Sequence, residues 1–248
     1  MSFPTTRWTL LAEATLAGDA LGQKALDDLC MSYRKPVEQF LTARGLRDEE
    51  LEDVVQDFFL RWLKSRAWKR ADREKGKFRT FMLGGVMHTL AHHRSKGRAE
   101  KRGGGAVDQS LDELAEYGIE PACPSAPDVM EFDRGWAEAL VENALSVLAG
   151  ERQAGGKGAE FAVLQHFLPG AGEVLTLEGA AERLGVKLDA VKIAVHRLRE
   201  RFRELVRGAV ARSVSAPHEV EEELVYLRSL LLSPPKSSTS TPQNGNKP

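Results

Sequence analysis

Leu51, Val54, Val55, Phe58, Phe59, Trp62 and Leu63 recur at i, i+3, i+4, i+7, i+8, i+11 and i+12. Only an α-helix turns that spacing into one continuous apolar stripe. The ends agree with it. Asp48, Glu49 and Glu50 stand where the first turn would be, and Arg61, Lys64 and Arg66 lie near the last, as the helix dipole favours. Upstream, Leu26, Leu29, Tyr33, Val37, Phe40 and Leu41 outline another helix, which Pro36 is expected to kink or divide. Phe78, Phe81, Met82, Val86 and Leu90 begin a third. Nowhere does the chain show the alternation that a sheet requires. The expected class is therefore all-α.

The helical signal is interrupted in a way that suggests two domains joined by a flexible acidic linker. Gly103-Gly104-Gly105 closes a first unit, residues 1–105. Residues 106–129 are acidic, contain Pro121, Pro124 and Pro127, and read as the linker. A second helical unit is expected over 130–213, then an acidic helix within 214–232. The polar segment 233–248, with SPPKSSTSTPQNGNKP, lacks the apolar residues for a core and is expected to be disordered.

Formal charge sums to −1 but is unevenly placed. From Lys64 to Arg102 there are 13 basic and 3 acidic residues; from Val107 to Glu151, 11 acidic and one basic; from Lys187 to Arg212, 8 basic and 3 acidic. Two separate basic segments point to a charged polymer such as nucleic acid. The intervening acidic segment could fold back on them and suppress DNA binding by the free protein. No apolar run is long enough to cross a bilayer, and the N-terminus MSFPTTRWTLLAE lacks the apolar core of a signal peptide. Cys30 and Cys123 match no metal or redox spacing, so a reducing cytoplasm is the expected setting and no membrane partner is implied.

Residues 175–206 read LTLEGAAERLGVKLDAVKIAVHRLRERFRELV. A short helix with Ala180 and Ala181 leads into a tight turn at Leu184-Gly185-Val186, then into a longer helix. That helix has Val191, Val195, Leu198, Phe202 and Leu205 on its inner face. Its other face presents Lys192, His196, Arg197, Arg199 and Arg203. This is the pattern of a helix-turn-helix whose second helix reads a major groove.

An enzyme is not expected. His88 and His92 are i, i+4, a spacing that can chelate a metal, but no HExxH pattern accompanies them. Nor is there a nucleophile elbow, a phosphate loop or a dinucleotide fingerprint. No cofactor, metal or catalytic group is expected.

Three motifs in order carry a resemblance: DVVQDFF, KGKFRTFMLGGVMHTLAHHRSKGRAEKR and the helix-turn-helix pattern. Together they resemble the two-domain extracytoplasmic-function branch of bacterial sigma factors, RNA polymerase subunits that select promoters. The resemblance implies core RNA polymerase and promoter DNA as partners, with an anti-sigma factor as a further partner such proteins can have. It implies that Asp53, Val54, Gln56, Asp57 and Phe58 bind polymerase. Lys77, Arg79, His88, His92, Arg94, Lys96 and Arg98 would meet a melted −10 element, with Trp68, Phe78 and Phe81 as candidate stacking platforms. Lys192, His196, Arg197, Arg199 and Arg203 would meet the −35 element. The sequence departs from the family pattern at His88, where Asn is usual, at His92, where Asp is frequent, and at Lys187 and Ala190–Ala194. No promoter sequence is therefore transferred. The competing reading is an autonomous helix-turn-helix regulator that binds duplex DNA as a dimer.

The helix expected at 219–232, EVEEELVYLRSLLL, is too short to stand alone in water, so it should dock. Three sites are open: packing within the chain, a separate partner, or a place beside the basic second helix of the helix-turn-helix, where its glutamates would face arginines and restrain DNA binding.

Overall fold

The computed structural model describes residues 20–71, 76–101, 124–170, 175–214 and 216–233, with no account of the side chains at 20–22, 25, 68 and 99–101. Residues 106–123 of the expected linker 106–129, Arg102, and residues 234–248 of the segment 233–248 expected to be disordered lie outside them. Among the described residues there are eight α-helices and no strand. They are α1 (Ala20–Ala43), α2 (Asp48–Lys64), α3 (Phe78–Lys101), α4 (Ala126–Ala154), α5 (Gly158–Leu164), α6 (Leu177–Leu184), α7 (Leu188–Ala211) and α8 (Glu219–Leu232).

Helix α1 runs unbroken through Pro36, so of the kink or division expected there the division does not occur. The proline lacks the N–H that would bond the Ser32 carbonyl. Its buried ring instead lies where α4 crosses, at Gly135. A Cβ on Gly135 would come within 2.7 Å of Gln39 Oε1, the movable end of that side chain, and 3.7 Å from Pro36 Cα, so glycine lets Gln39 keep its place at the crossing. The α2 stripe behaves as its spacing dictates. Val54, Val55, Phe58 and Trp62 are buried, with Leu51, Phe59 and Leu63 partly so. Phe58 lies against α3 at Gly85, where a Cβ would be 3.1 Å from the ring.

Helix α4 begins at Ala126, inside the stretch read as linker. Ser125 caps it by accepting from the Asp128 N–H at 3.4 Å, and Pro127 sits in the first turn, where its missing N–H costs nothing. Acidic residues of α4 rest on cations of α1 and the turn after it. Arg44 binds Asp128 at 2.5 Å and Glu131 at 2.8 Å, and Lys35 pairs with Glu142. Part of the acidic segment's charge is thus neutralised within the chain. The Ser125 hydroxyl, with Arg44, holds the Asp128 carboxyl below the usual range.

Two hydrophobic clusters result. The first joins α1, α2 and α3 to Phe132, Trp136, Ala137 and Leu140 of α4, Val210 and Ala211 of α7, and Val220, Leu227 and Leu230 of α8. The second holds Ala144 and Leu148 of α4, Phe161 and Leu164 of α5, Ala180 of α6, and Val191, Val195, Leu198 and Phe202 of α7. Helices α4 and α7 each enter both clusters. Arg201 fastens them together, donating to Glu151 at 2.6 and 3.0 Å.

Candidate functional site

The polar edge of α2 is what remains once its stripe is buried. Asp53 and Gln56 are exposed, and Asp57 is partly exposed, accepting from Arg61 Nε at 2.7 Å. Val54 and Phe58, expected among the polymerase-binding residues, are core residues instead, 2% and 1% exposed. Both fall on the side of the helix that α1 and α3 cover, so a partner on the outer face cannot reach them. Leu60 is on the outer side, 47% exposed between Gln56 and Lys64. Sequence reasoning passed over it, although its place outside the i, i+3, i+4 run was the signal.

Helix α3 carries its charge in two ways. Toward its C-terminal end Arg94, Lys96 and Arg98 are exposed; Arg94 also donates to the Arg44 carbonyl at 2.8 Å. His93 meets Glu50 at 2.9 Å. His92 and His88 are partly buried. Burial, then the neighbouring His92 and Arg61, pushes the His88 imidazole below its ordinary pKa. A neutral His88 contributes no cation to a phosphate. Of the candidate platforms, Phe78 is a core ring, edge-on to Tyr33 at 5.7 Å and to Trp62 at 6.3 Å. Phe81 is partly buried, its ring 6.0 Å from Phe78.

The foot of α3 differs from its far end. Arg79, expected on −10 DNA, is 2% exposed and is enclosed by carboxylates. Its Nε and Nη2 donate to Asp133 at 2.6 and 3.1 Å. Nη2 also lies 2.5 Å from Glu223 Oε1, an ion pair without an aligned hydrogen bond. The guanidinium lies over the Trp136 ring at 4.9 Å, and the Tyr226 hydroxyl donates to Asp133 at 2.9 Å. Burial, then the Asp133 charge, pushes the Tyr226 hydroxyl up, so it remains a donor. Lys77 Nζ donates to Glu223 Oε2 at 2.7 Å and lies 4.4 Å above the Tyr226 ring. Two cations thus face two carboxylates. A guanidinium so thoroughly desolvated persists only because it is paired and hydrogen-bonded. It is a structural tie between α3, α4 and α8, not a phosphate ligand in this arrangement.

The second basic helix keeps its cations outside. Thr176 caps α6, accepting from Gly179 N–H at 3.0 Å. Gly185 ends it at φ 64°, the left-handed region that suits glycine, and Val186 N–H returns to the Ala181 carbonyl. Helix α7 follows, with Lys187 at its cap position giving no side-chain bond. Lys192, His196, Arg197, Arg199 and Arg203 are all exposed. Lys192 pairs with Asp189 at 3.2 Å, His196 with Glu200 at 3.4 Å, and Arg199 donates to the Phe167 carbonyl at 3.0 Å. Ile193 is 54% exposed in their midst, a residue the sequence reading did not single out.

Among the described residues no group of three or more His, Cys, Asp or Glu could hold a metal ion, and no helix is long and apolar enough to cross a membrane. No curated protein and no solved structure matches the chain. Residues 29–99, from within α1 to near the end of α3, match the family model described as Sigma-70 region 2. The match spans 71 of the 248 residues, and over that segment the chain is similar to region 2 of the sigma-70 family.

Proposed function

We propose that this chain is a promoter-selecting subunit of RNA polymerase on the two-domain plan of the extracytoplasmic-function branch. In this reading residues 1–105 bind core polymerase and the −10 element, and residues 130–213 bind the −35 element through a helix-turn-helix formed by α6 and α7. The observation that carries it is the region 2 match over residues 29–99. Within that segment, α2 keeps Asp53, Gln56, Asp57 and Leu60 outside the core.

The physics assigns each part a task. The α2 edge offers a patch on which an apolar contact at Leu60 and charged contacts at Asp53 and Asp57 can be made together. The exposed end of α3, with Arg94, Lys96 and Arg98, suits a phosphate backbone, where released counterions drive binding. Exposed α7 suits a major groove, with Lys192, Ile193 and His196 near its N-terminal end and Arg199 and Arg203 further along for phosphates. RNA synthesis is the polymerase's chemistry, so this chain's own work is positioning and strand capture.

The test is reconstitution. Purified chain mixed with core RNA polymerase should comigrate with it and direct transcripts from specific promoters. Failure to comigrate, together with dimeric binding to duplex DNA in the absence of polymerase, overturns this reading in favour of an autonomous regulator.

A further inference from the structure

The acidic helix α8 does not lie along the exposed face of α7, where one sequence expectation placed it. It packs on α4, on the end of α7 and on the foot of α3, burying Val220, Leu227 and Leu230 in the first cluster. Its contact with arginine on α7 is at that helix's end, where Arg207 pairs with Glu221. Arg134 of α4 donates to the Ser233 carbonyl at 2.6 Å, holding the other end. Between these, Glu223 reaches Lys77 at 2.7 Å and Arg79 at 2.5 Å.

We propose that α8 is an internal strap in which Glu223 occupies the Lys77 ammonium as a nucleic-acid phosphate would, so that this end of α3 engages a strand only after α8 lifts away. The proposal rests on the reading of α3 as a nucleic-acid helix. One observation and two physical arguments carry it. A carboxylate on a lysine makes the same charge-assisted contact that a phosphate oxygen makes. The Lys77 side chain remains 46% exposed beside it, so an incoming strand can compete for the ammonium. The ion pairs are a poor source of net docking energy, since the desolvation of Glu223 offsets much of its attraction. A helix of this length has little stability of its own, so once its apolar residues lift off it has no reason to stay folded. Arg79 keeps Asp133 when α8 leaves, so the foot of α3 stays anchored to α4 while Lys77 is released.

The experiment uses the full chain with Glu223→Lys, which places a cation against Lys77 and Arg79. Glu222→Lys, an exposed position on the same helix, makes the same change in net charge. Hydrogen exchange across residues 219–232 reports docking, and anisotropy of a short fluorescein-labelled single-stranded oligodeoxynucleotide reports strand capture. The expected result is faster exchange in α8 and tighter capture for Glu223→Lys only. The slope of log affinity against log salt should steepen by about 0.7 for the phosphate contact regained. Should Glu223→Lys lose its cooperative thermal transition, Glu223→Gln carries the same test with a smaller expected gain. Equal gains from Glu222→Lys and Glu223→Lys overturn the strap, because bulk charge then explains them. Unchanged exchange in α8 overturns it as well, as does freed α8 with unchanged capture. If the wild type comigrates with core polymerase in that last case, only the strap falls; if it does not, the polymerase-subunit reading falls separately.

Discussion

On α7 the cations lie away from Val191, Val195, Leu198 and Phe202, and all five candidate DNA residues face solvent. On α3 the same residue types divide, with Arg94, Lys96 and Arg98 exposed at one end and Arg79 sealed in at the other. The difference follows from where each cation falls in the apolar period. Arg79 sits between Phe78 and Met82 in the buried first turns of α3, so its guanidinium enters the core with them. The α7 arginines fall outside a clean inner stripe. Basic residues counted along a segment are therefore not equivalent: some are surface charge, and some are ties between helices whose partners come from elsewhere in the chain.

The sharpest way to break this comparison is to remove a partner. Asp133→Ala leaves Arg79 desolvated without its bidentate carboxylate and should cost about 3–5 kcal/mol in denaturant unfolding. Arg197→Ala on α7 should stay within about 0.5 kcal/mol. A cost for Asp133→Ala no larger than that of Arg197→Ala would mean that Arg79 is not truly buried.

DNA binding should divide the same residues differently. Lys192→Ala and Arg203→Ala should each reduce the duplex salt slope by about 0.9, and Lys96→Ala should reduce the single-strand slope by about 0.7. Arg79→Ala should act through lost stability, visible in its unfolding curve before any DNA is added. Equal effects of Lys96→Ala and Arg203→Ala on both probes would erase the distinction between the two helices.

A smaller effect is expected at the start of α7, where Lys187 makes no side-chain cap. Lys187→Ser should raise stability by about 1 kcal/mol in the same unfolding assay. No gain would mean that the first N–H groups of α7 are already satisfied by other groups.

The mildest expectation concerns pH. Burial lowers the His88 pKa in the folded chain, so on acidification the unfolded chain takes up this proton first. Stability present above about pH 6.5 should therefore decline as pH falls through the folded value. His88→Asn should flatten this part of the profile; an unchanged profile would show that His88 titrates alike in both states.

Much of this fold is written in local pattern. The α2 stripe, the Gly185 turn, the inner face of α7 and the span Glu219–Leu232 can be read directly, because each depends on residues a few positions apart. The start of α4 was also written there, in Ser125, Pro127 and Asp128, but prolines counted as linker residues concealed a capped first turn. What local pattern cannot give is pairing across distance. Arg79 finds carboxylates 54 and 144 positions further along the chain, and only packing of α4 and α8 against α3 brings them together. The candidate site was legible in its residue types more than in its faces. Val54 and Phe58 have the right chemistry for an interface anchor, yet the helix turns them inward, while Leu60 is turned out.

The most direct measurement is a titration of the labelled full chain with purified core RNA polymerase, wild type against Gln56→Ala/Asp57→Ala. Both positions lie outside the core, so circular dichroism and thermal unfolding should match. The account predicts saturable binding by the wild type and a loss of about 1–3 kcal/mol in the double variant. Absence of wild-type binding, or equal affinity in two equally folded proteins, would contradict it.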